Sequence, residues 1–577
     1  MLLLAAEHDV DADPQEASDR TSLELFKCCL LRTLYTTNGL AVGQGGADLQ
    51  PDLASGPPTI SDDGLTWTIE MTHGLHYAPP FAATEITSPD IVRALEREAQ
   101  VGAGAGAGGY SSYYSPIVGF SDAVSGRART ISGLSTPGDH TLVIQLTQPT
   151  GDLGWRLAMP AAAPIPPYGT DPLGAAAGHA TDYGRFLVAS GPYMFDGSAK
   201  LDFSKPSVRQ TPVSGFVPGR SMTLVRNPSW HSSTDSLRPA YASGMHVAIG
   251  GRTSALYAKV RSGDLDLVLD SAPTSGILEG YTTDPALQTR LFVDPLNAVD
   301  FISMNVAAPP FDDVHVRRAL NWIVDKAGAV QLAGGPAAAV PTGHVFPDGV
   351  LDNALQTYDR FATPGETGDL EKAKAEMAQS KYAGSDGLCD APDCKNVLAF
   401  TTTADPAPKV ADLWKEGFAR LGVTLDVRAS RDVSSRSRCG VPSDRVPLCL
   451  SVGWSQGYPD AYTFGVPLFS STSLYPFCCN YGGLGASQAQ LLRWGYAVSS
   501  VPDMDDRLAK CAAIVAGADR DGCWADLDRY LMEQVVPWVP VMNPNEATIV
   551  SSHVTNFSFD QLGQMAALDH LATDRTG

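Results

Sequence analysis

Residues 301–330, FISMNVAAPPFDDVHVRRALNWIVDKAGAV, decide how the rest of the chain is read. Phe301, Ile302 and Met304 form an apolar strand, which Pro309 and Pro310 terminate because proline lacks the N–H that a ladder needs. A helix then starts behind Asp312 and Asp313, acidic residues suited to the positive end of a helix dipole. Val316, Ala319, Leu320, Ile323 and Val324 fall at i, i+3, i+4, i+7 and i+8, giving one buried stripe. A strand feeding such a helix through a short turn is the unit of an α/β protein.

The chain has 577 residues, too many for one hydrophobic core, so at least two lobes are expected. The 41 basic and 63 acidic residues leave a net charge of -22, which repels phosphate backbones and argues against a nucleic-acid partner. An apolar content of 44 % marks a globular chain. Met1-Leu-Leu-Leu-Ala-Ala is too short for a signal peptide and reads as the first strand of a mature domain. A signal or lipid anchor is therefore expected outside this chain.

The ten cysteines suggest five disulfides in an oxidising compartment. Cys389/Cys394, Cys439/Cys449 and Cys511/Cys523 are spaced as local staples. The doublets Cys28-Cys29 and Cys478-Cys479 are candidates to pair with each other across the fold, and buried free thiols are the alternative. No CxxC occurs, which counts against zinc. His73 and His76 sit three apart but have no third ligand nearby in sequence, so no metal and no cofactor is expected.

Further along, a helix stripe includes Leu23, Phe26, Leu30, Leu31 and Leu34, and Leu65, Trp67, Ile69 and Met71 share one face of a strand. Residues 102–109, GAGAGAGG, predict a flexible surface loop; no lysine follows to make a phosphate-binding loop. Helix and strand alternate through Asp369–Met377, Val397–Phe400, Val410–Leu421 and Gly422–Val427, as in α/β lobes with partly parallel sheets. No GxSxG, SxxK, HExxH or GxxxxGK[ST] is present, and Asp62-Asp63 and Asp312-Asp313 sit where capping explains them. An enzyme is not expected; a secreted hydrolase is the weaker alternative.

Asn305-Val-Ala-Ala-Pro-Pro-Phe-Asp-Asp-Val-His-Val-Arg-Arg-Ala-Leu-Asn resembles a segment of the oligopeptide/dipeptide-binding family of extracellular solute-binding proteins, which serve ABC importers. Other segments resemble that family in the same order: Leu31-Arg-Thr-Leu-Tyr35, Ile60-Ser-Asp-Asp-Gly-Leu-Thr-Trp-Thr-Ile-Glu-Met71, Ser190-Gly-Pro-Tyr-Met-Phe195, Leu224-Val-Arg-Asn-Pro-Ser-Trp230 and Val452-Gly-Trp-Ser-Gln-Gly-Tyr-Pro-Asp460. The resemblance implies a two-lobed periplasmic-binding-protein-like α/β fold of type II around a hinge. Lobe I would comprise residues 1–45, 185–270 and 481–577, with an extra domain at 46–184, and lobe II residues 271–480.

It also implies an extracytoplasmic monomer, either a cell-surface lipoprotein or periplasmic, that captures an oligopeptide between its lobes and delivers it to a membrane ABC permease. An oligosaccharide or other non-peptide solute is the alternative. Ligand contacts carried over by the motif are Trp454, Ser455, Gln456, Gly457 and Tyr458, with Tyr35 and Tyr114 added as aromatic candidates. In relatives an aspartate at the place of Gly457 holds a peptide's α-ammonium. Either Asp460 or another acid replaces that charge here, or the ligand has no free amine.

Overall fold

The computed structural model describes residues 1–104, 110–168, 180–204, 211–431, 438–474 and 479–575. The chain divides into two compact units, one of Met1–Asp294 with Glu546–Gly577 and the other of Pro295–Asn545. Residues 481–545, expected in lobe I, belong to the second unit, and 271–294, expected in lobe II, belong to the first. The reason lies in tertiary pairing: Trp524 packs into the second unit's core, buried Arg520 binds Asp460, and strand Trp538–Ile549 pairs beside Phe301.

The main strands of the first unit are β1 (Leu2–Ala6), β2 (Thr59–Ile60), β3 (Thr66–Glu70), β4 (Leu134–Gly138), β5 (Thr141–Gln145), β6 (Tyr193–Phe195), β7 (Ser221–Arg226), β8 (Gly244–Ile249) and β9 (Leu267–Val268). They form two sheets. The first runs β9-β1-β8-β7-β6, with β1 parallel to both its neighbours and Leu2 opposite Met245. The leading leucines thus lie in an interior strand with Leu2 and Leu4 buried. The second sheet, β2-β3-β5-β4, is antiparallel and turns Trp67, Ile69 and Met71 inward as the alternation predicts. Helix α1 (Ser88–Gly104) contributes Ile91, Ala94, Leu95 and Ala99 to the same core.

Two expectations change here. The helix predicted through Leu34 ends at Leu30: Leu31 is extended, and Arg32 turns inward to Asp52. A buried ion pair outranks the apolar period at that point. Residues 102–104, expected in a loop, continue α1, while 105–109 lie outside the described residues.

The second unit holds β10 (Ala298–Met304), helix α2 (Val314–Ile323), β11 (Val397–Thr402), helix α3 (Ala407–Ala419), β12 (Leu425–Ser430), β13 (Leu448–Ser455), helix α4 (Ala518–Tyr530) and most of β14 (Trp538–Ile549). The strand order β14-β10-β13-β11-β12 mixes antiparallel β10/β13 and β10/β14 pairs with parallel β11/β13 and β11/β12 pairs. α2 starts where the sequence places it: the Asp313 carboxylate accepts from the His315 N–H at 2.8 Å, and Val316, Ala319, Leu320 and Ile323 are buried. It ends one residue early, because Val324 turns extended and Asp325 caps a new helix, Lys326–Ala333.

The three local disulfides, Cys389–Cys394, Cys439–Cys449 and Cys511–Cys523, are formed. The doublet pairing is not: Cys28 bonds to its neighbour Cys29 inside the first unit's core. Cys479 is also disulfide-bonded, and no described cysteine is a free thiol. Cys478 lies outside the described residues. Among the described residues no helix is long and apolar enough to cross a membrane.

Candidate functional site

The segment 454–460 leaves the second unit's sheet at the end of β13. Antiparallel pairing sets Trp454 opposite Val299 and Ser455 opposite Ala298. Trp454 is half-buried, and its Nε1–H donates to the Thr463 carbonyl at 2.8 Å, which fixes the ring's orientation. Ser455 is exposed. Gln456 is anchored twice: its N–H donates to the Asn297 carbonyl at 3.0 Å, and its Oε1 accepts from Asn297 Nδ2 at 2.7 Å. A buried amide pair of this kind holds the strand end in one conformation.

Tyr458 is wholly buried, and so is Tyr114, whose hydroxyl donates to the Arg156 carbonyl at 2.7 Å. Tyr35 is 2 % exposed and is held in a short strand pair with Pro51. These three rings are walls of the core. Trp454, Ser455 and Gly457 are the candidates that retain surface, while Gln456 is buried against Asn297.

Asp460 does not take over the charge missing at Gly457. Arg520 grips its carboxylate with two parallel bonds, Nε to Oδ2 at 2.7 Å and Nη2 to Oδ1 at 2.8 Å, and the Tyr462 N–H donates to Oδ1 at 2.8 Å. The same guanidinium donates through Nη1 to the carbonyls of Cys511, Ala512 and Ile514. Both partners are buried, and a bidentate pair of this geometry is among the strongest charge-assisted contacts. The aspartate shapes the turn and ties it to α4.

Beside the strand end the second unit has a cavity of about 210 Å³ whose walls include Asp300, Phe301, Thr402, Trp414, Gly453 and Met542. A Cβ at Gly453 would stand 2.5 Å from Asp300 Oδ1, so a larger residue there needs the Asp300 side chain to shift. The space is smaller than a drug-sized ligand occupies and suits one side chain.

The first unit has a larger cavity, about 430 Å³, lined among others by Arg32, Gly74, His76, Ser190, Trp230 and His231. Segments singled out by resemblance but given no common role from sequence meet here. The Arg32 N–H donates to Ser190 Oγ at 2.8 Å, and Asn227 Nδ2 donates to the Gly191 carbonyl at 2.8 Å. Arg32 and Arg238 share the buried Asp52, and Trp230 donates to Asp235 at 2.9 Å. Burial pushes the Asp52 carboxyl up, but the two guanidiniums outweigh it and hold it below the usual range. The sequence signal for this wall was the Arg-Asn-Pro-Ser-Trp and Ser-Gly-Pro landmarks themselves.

A family model for "Bacterial extracellular solute-binding proteins, family 5 Middle" matches residues 48–475. A solved structure titled "Clavulanic acid biosynthesis oligopeptide binding protein 2" superposes with a TM-score of 0.81 at 26 % identity, covering 100 % of this chain and 95 % of that one. The "Probable di/tripeptide-binding protein 5" of Pseudomonas aeruginosa is 22 % identical over 94 % of this chain and 92 % of its own length. A "Probable peptide ABC transporter periplasmic-binding protein" of Sinorhizobium fredii is 27 % identical over 56 % of this chain, a match that spans about half, 54 %, of that relative. With an ordered match over most of its length and a two-lobed α/β fold, the chain belongs to the bacterial extracellular solute-binding proteins of family 5.

Proposed function

We propose that this chain, acting as a monomer outside the cytoplasm, captures an oligopeptide and hands it to a membrane ABC importer. What carries the reading is the likeness, along the whole chain, to a structure whose title names an oligopeptide-binding protein. The chain works by binding and release, with Trp454 as an aromatic contact, Ser455 and Gln456 as polar ones, and Gly457 as a place of close backbone approach. The membrane partner, the anchor as lipoprotein or the free periplasmic form, and the ligand class all rest on this reading.

The site qualifies the ligand. Glycine at 457 has no counter-charge, and Asp460 is committed to Arg520. An ammonium buried there without an anion would cost several kcal/mol as an order of magnitude. With Asp460 excluded, we read the ligand as a peptide recognised away from its amino terminus, or one whose terminus is blocked; another acid supplying the charge would restore amine capture, and an oligosaccharide is the second reading that the same glycine favours.

Thermal unfolding of ligand-stripped protein with pooled tri- to pentapeptides, their N-acetylated forms and pooled oligosaccharides tests this. Ligand at a hundred times its dissociation constant adds about 2.7 kcal/mol, enough to raise Tm. Equal shifts with free and acetylated peptides are expected. A shift with free peptides alone would overturn the amine argument, and a shift with sugars alone would replace the ligand class. Gly457→Asp should raise affinity for free peptides over acetylated ones.

A further inference from the structure

In the first unit three side chains from separate segments converge. His73 lies in the turn after β3, Glu85 in an antiparallel bridge with His76, and His140 at the tip of the β4–β5 hairpin. One ligating atom from each lies within 4.8 Å of the other two. The imidazoles of His73 and His140 stack with centroids 3.7 Å apart, and His140 Nε2 stands 3.0 Å from Glu85 Oε1.

Two features argue for more than an imidazole–carboxylate pair. First, Glu85 is held in place: the Gly74 N–H donates to its Oε1 at 2.5 Å. Second, the His73 ring stacks on His140 and brings its own ligating atom within 4.8 Å of the other two, so a third donor stands beside the pair. Two imidazole nitrogens and one carboxylate oxygen are the donor set of a borderline divalent ion. His76 stands across Gly74, its Nδ1–H donating to the Gly74 carbonyl at 3.0 Å, and is not among the three.

We propose that His73, Glu85 and His140 form a binding site for a divalent transition-metal ion, zinc by its donor preference, beside the Gly74 and His76 wall of the first unit's cavity. Tetrahedral zinc with bonds of about 2.0 to 2.2 Å needs ligand atoms about 3.3 Å apart, which His140 and Glu85 nearly meet already. His73 is exposed, so its ring can rotate to close the set and the ion has a path from solvent. On binding, His140 Nε2 exchanges its bond to Glu85 for the ion, the ring ligating as the neutral tautomer with its proton on Nδ1. The ion then ties the β3 turn, the Glu85 segment and the β4–β5 hairpin together.

The test is calorimetric titration of the chelator-stripped full chain with zinc chloride in excess magnesium, which occupies sites made of carboxylates alone. One equivalent of zinc is expected to bind. His73→Ala and His140→Ala should each weaken it by about 10–100-fold or more, since even partners behind the ligands are worth that much. His73 is exposed, so the metal-free Tm of His73→Ala should equal that of the wild type, which separates lost binding from lost folding. No uptake by the wild type, or wild-type affinity in either histidine variant, overturns the proposal.

Discussion

Asp460 in the second unit and Glu85 in the first are both carboxylates on short segments at strand ends, and they differ in what surrounds them. Asp460 is enclosed with a guanidinium that satisfies both its oxygens and three carbonyls besides. Glu85 is partly exposed and faces a histidine and a backbone N–H, with a second histidine within reach. An acid in a cleft motif invites a ligand role in either case. Burial with a bidentate partner turns the first into structure, and exposure beside two imidazoles leaves the second able to take a ligand.

The largest effect should come from opening the closed case. Arg520→Ala leaves the Asp460 carboxylate buried without its cation and should cost about 3–5 kcal/mol in urea unfolding. Adding Asp460→Asn should recover part of that loss, because the uncompensated charge is then gone. A loss below 1 kcal/mol, as an order of magnitude, would mean that water reaches the aspartate and that it is available to ligand after all.

Glu98 sharpens the contrast from the other side. It is buried beside Arg97, but that guanidinium is bound to Asp13, and burial pushes the Glu98 carboxyl up to about 7 despite a hydroxyl from Ser111. A carboxyl raised in the fold is protonated there while the unfolded chain has released its proton. Stability from this group is therefore whole below the unfolded value near 4.3 and falls as pH rises to about 7, by on the order of 3 kcal/mol. Glu98→Gln should remove that slope, so that its gain over wild type is larger at pH 8 than at pH 5 in denaturant midpoints. An equal difference at both pH values would sink the assignment.

The smallest effect belongs to a carboxylate with no cation in its grip. Asp313 caps α2 and also accepts from the Ser380 hydroxyl and the Lys381 N–H, each at 2.9 Å. Burial raises its carboxyl, yet the backbone donors win and hold it lowered. Asp313→Ala should cost about 1 kcal/mol, and Asp313→Asn less, in the same unfolding assay.

Much of the fold was legible because short-range physics decides it. The Phe301–Val330 stretch yields its strand, turn and capped helix from apolar spacing and two aspartates, and the close cysteine pairs read directly as loop staples. Leu31 to Leu34 misled because a period of apolar residues carries no notice that Arg32 will be drawn to Asp52. Trp454 and Gln456 could be named from a motif, whereas the burial of Tyr458, Tyr114 and Tyr35 depends on neighbours from distant segments.

Sequence by itself determined the family, the α/β class, the first strand and the absence of an acid at 457, since each is a matter of residue type at a local spacing. Tertiary structure alone decided that Asp460 is spent on Arg520, that Cys28 closes on Cys29, and that His73 finds Glu85 and His140. Those outcomes turn on which side chains come within a few ångströms across long stretches of chain, and one-dimensional spacing does not contain that distance.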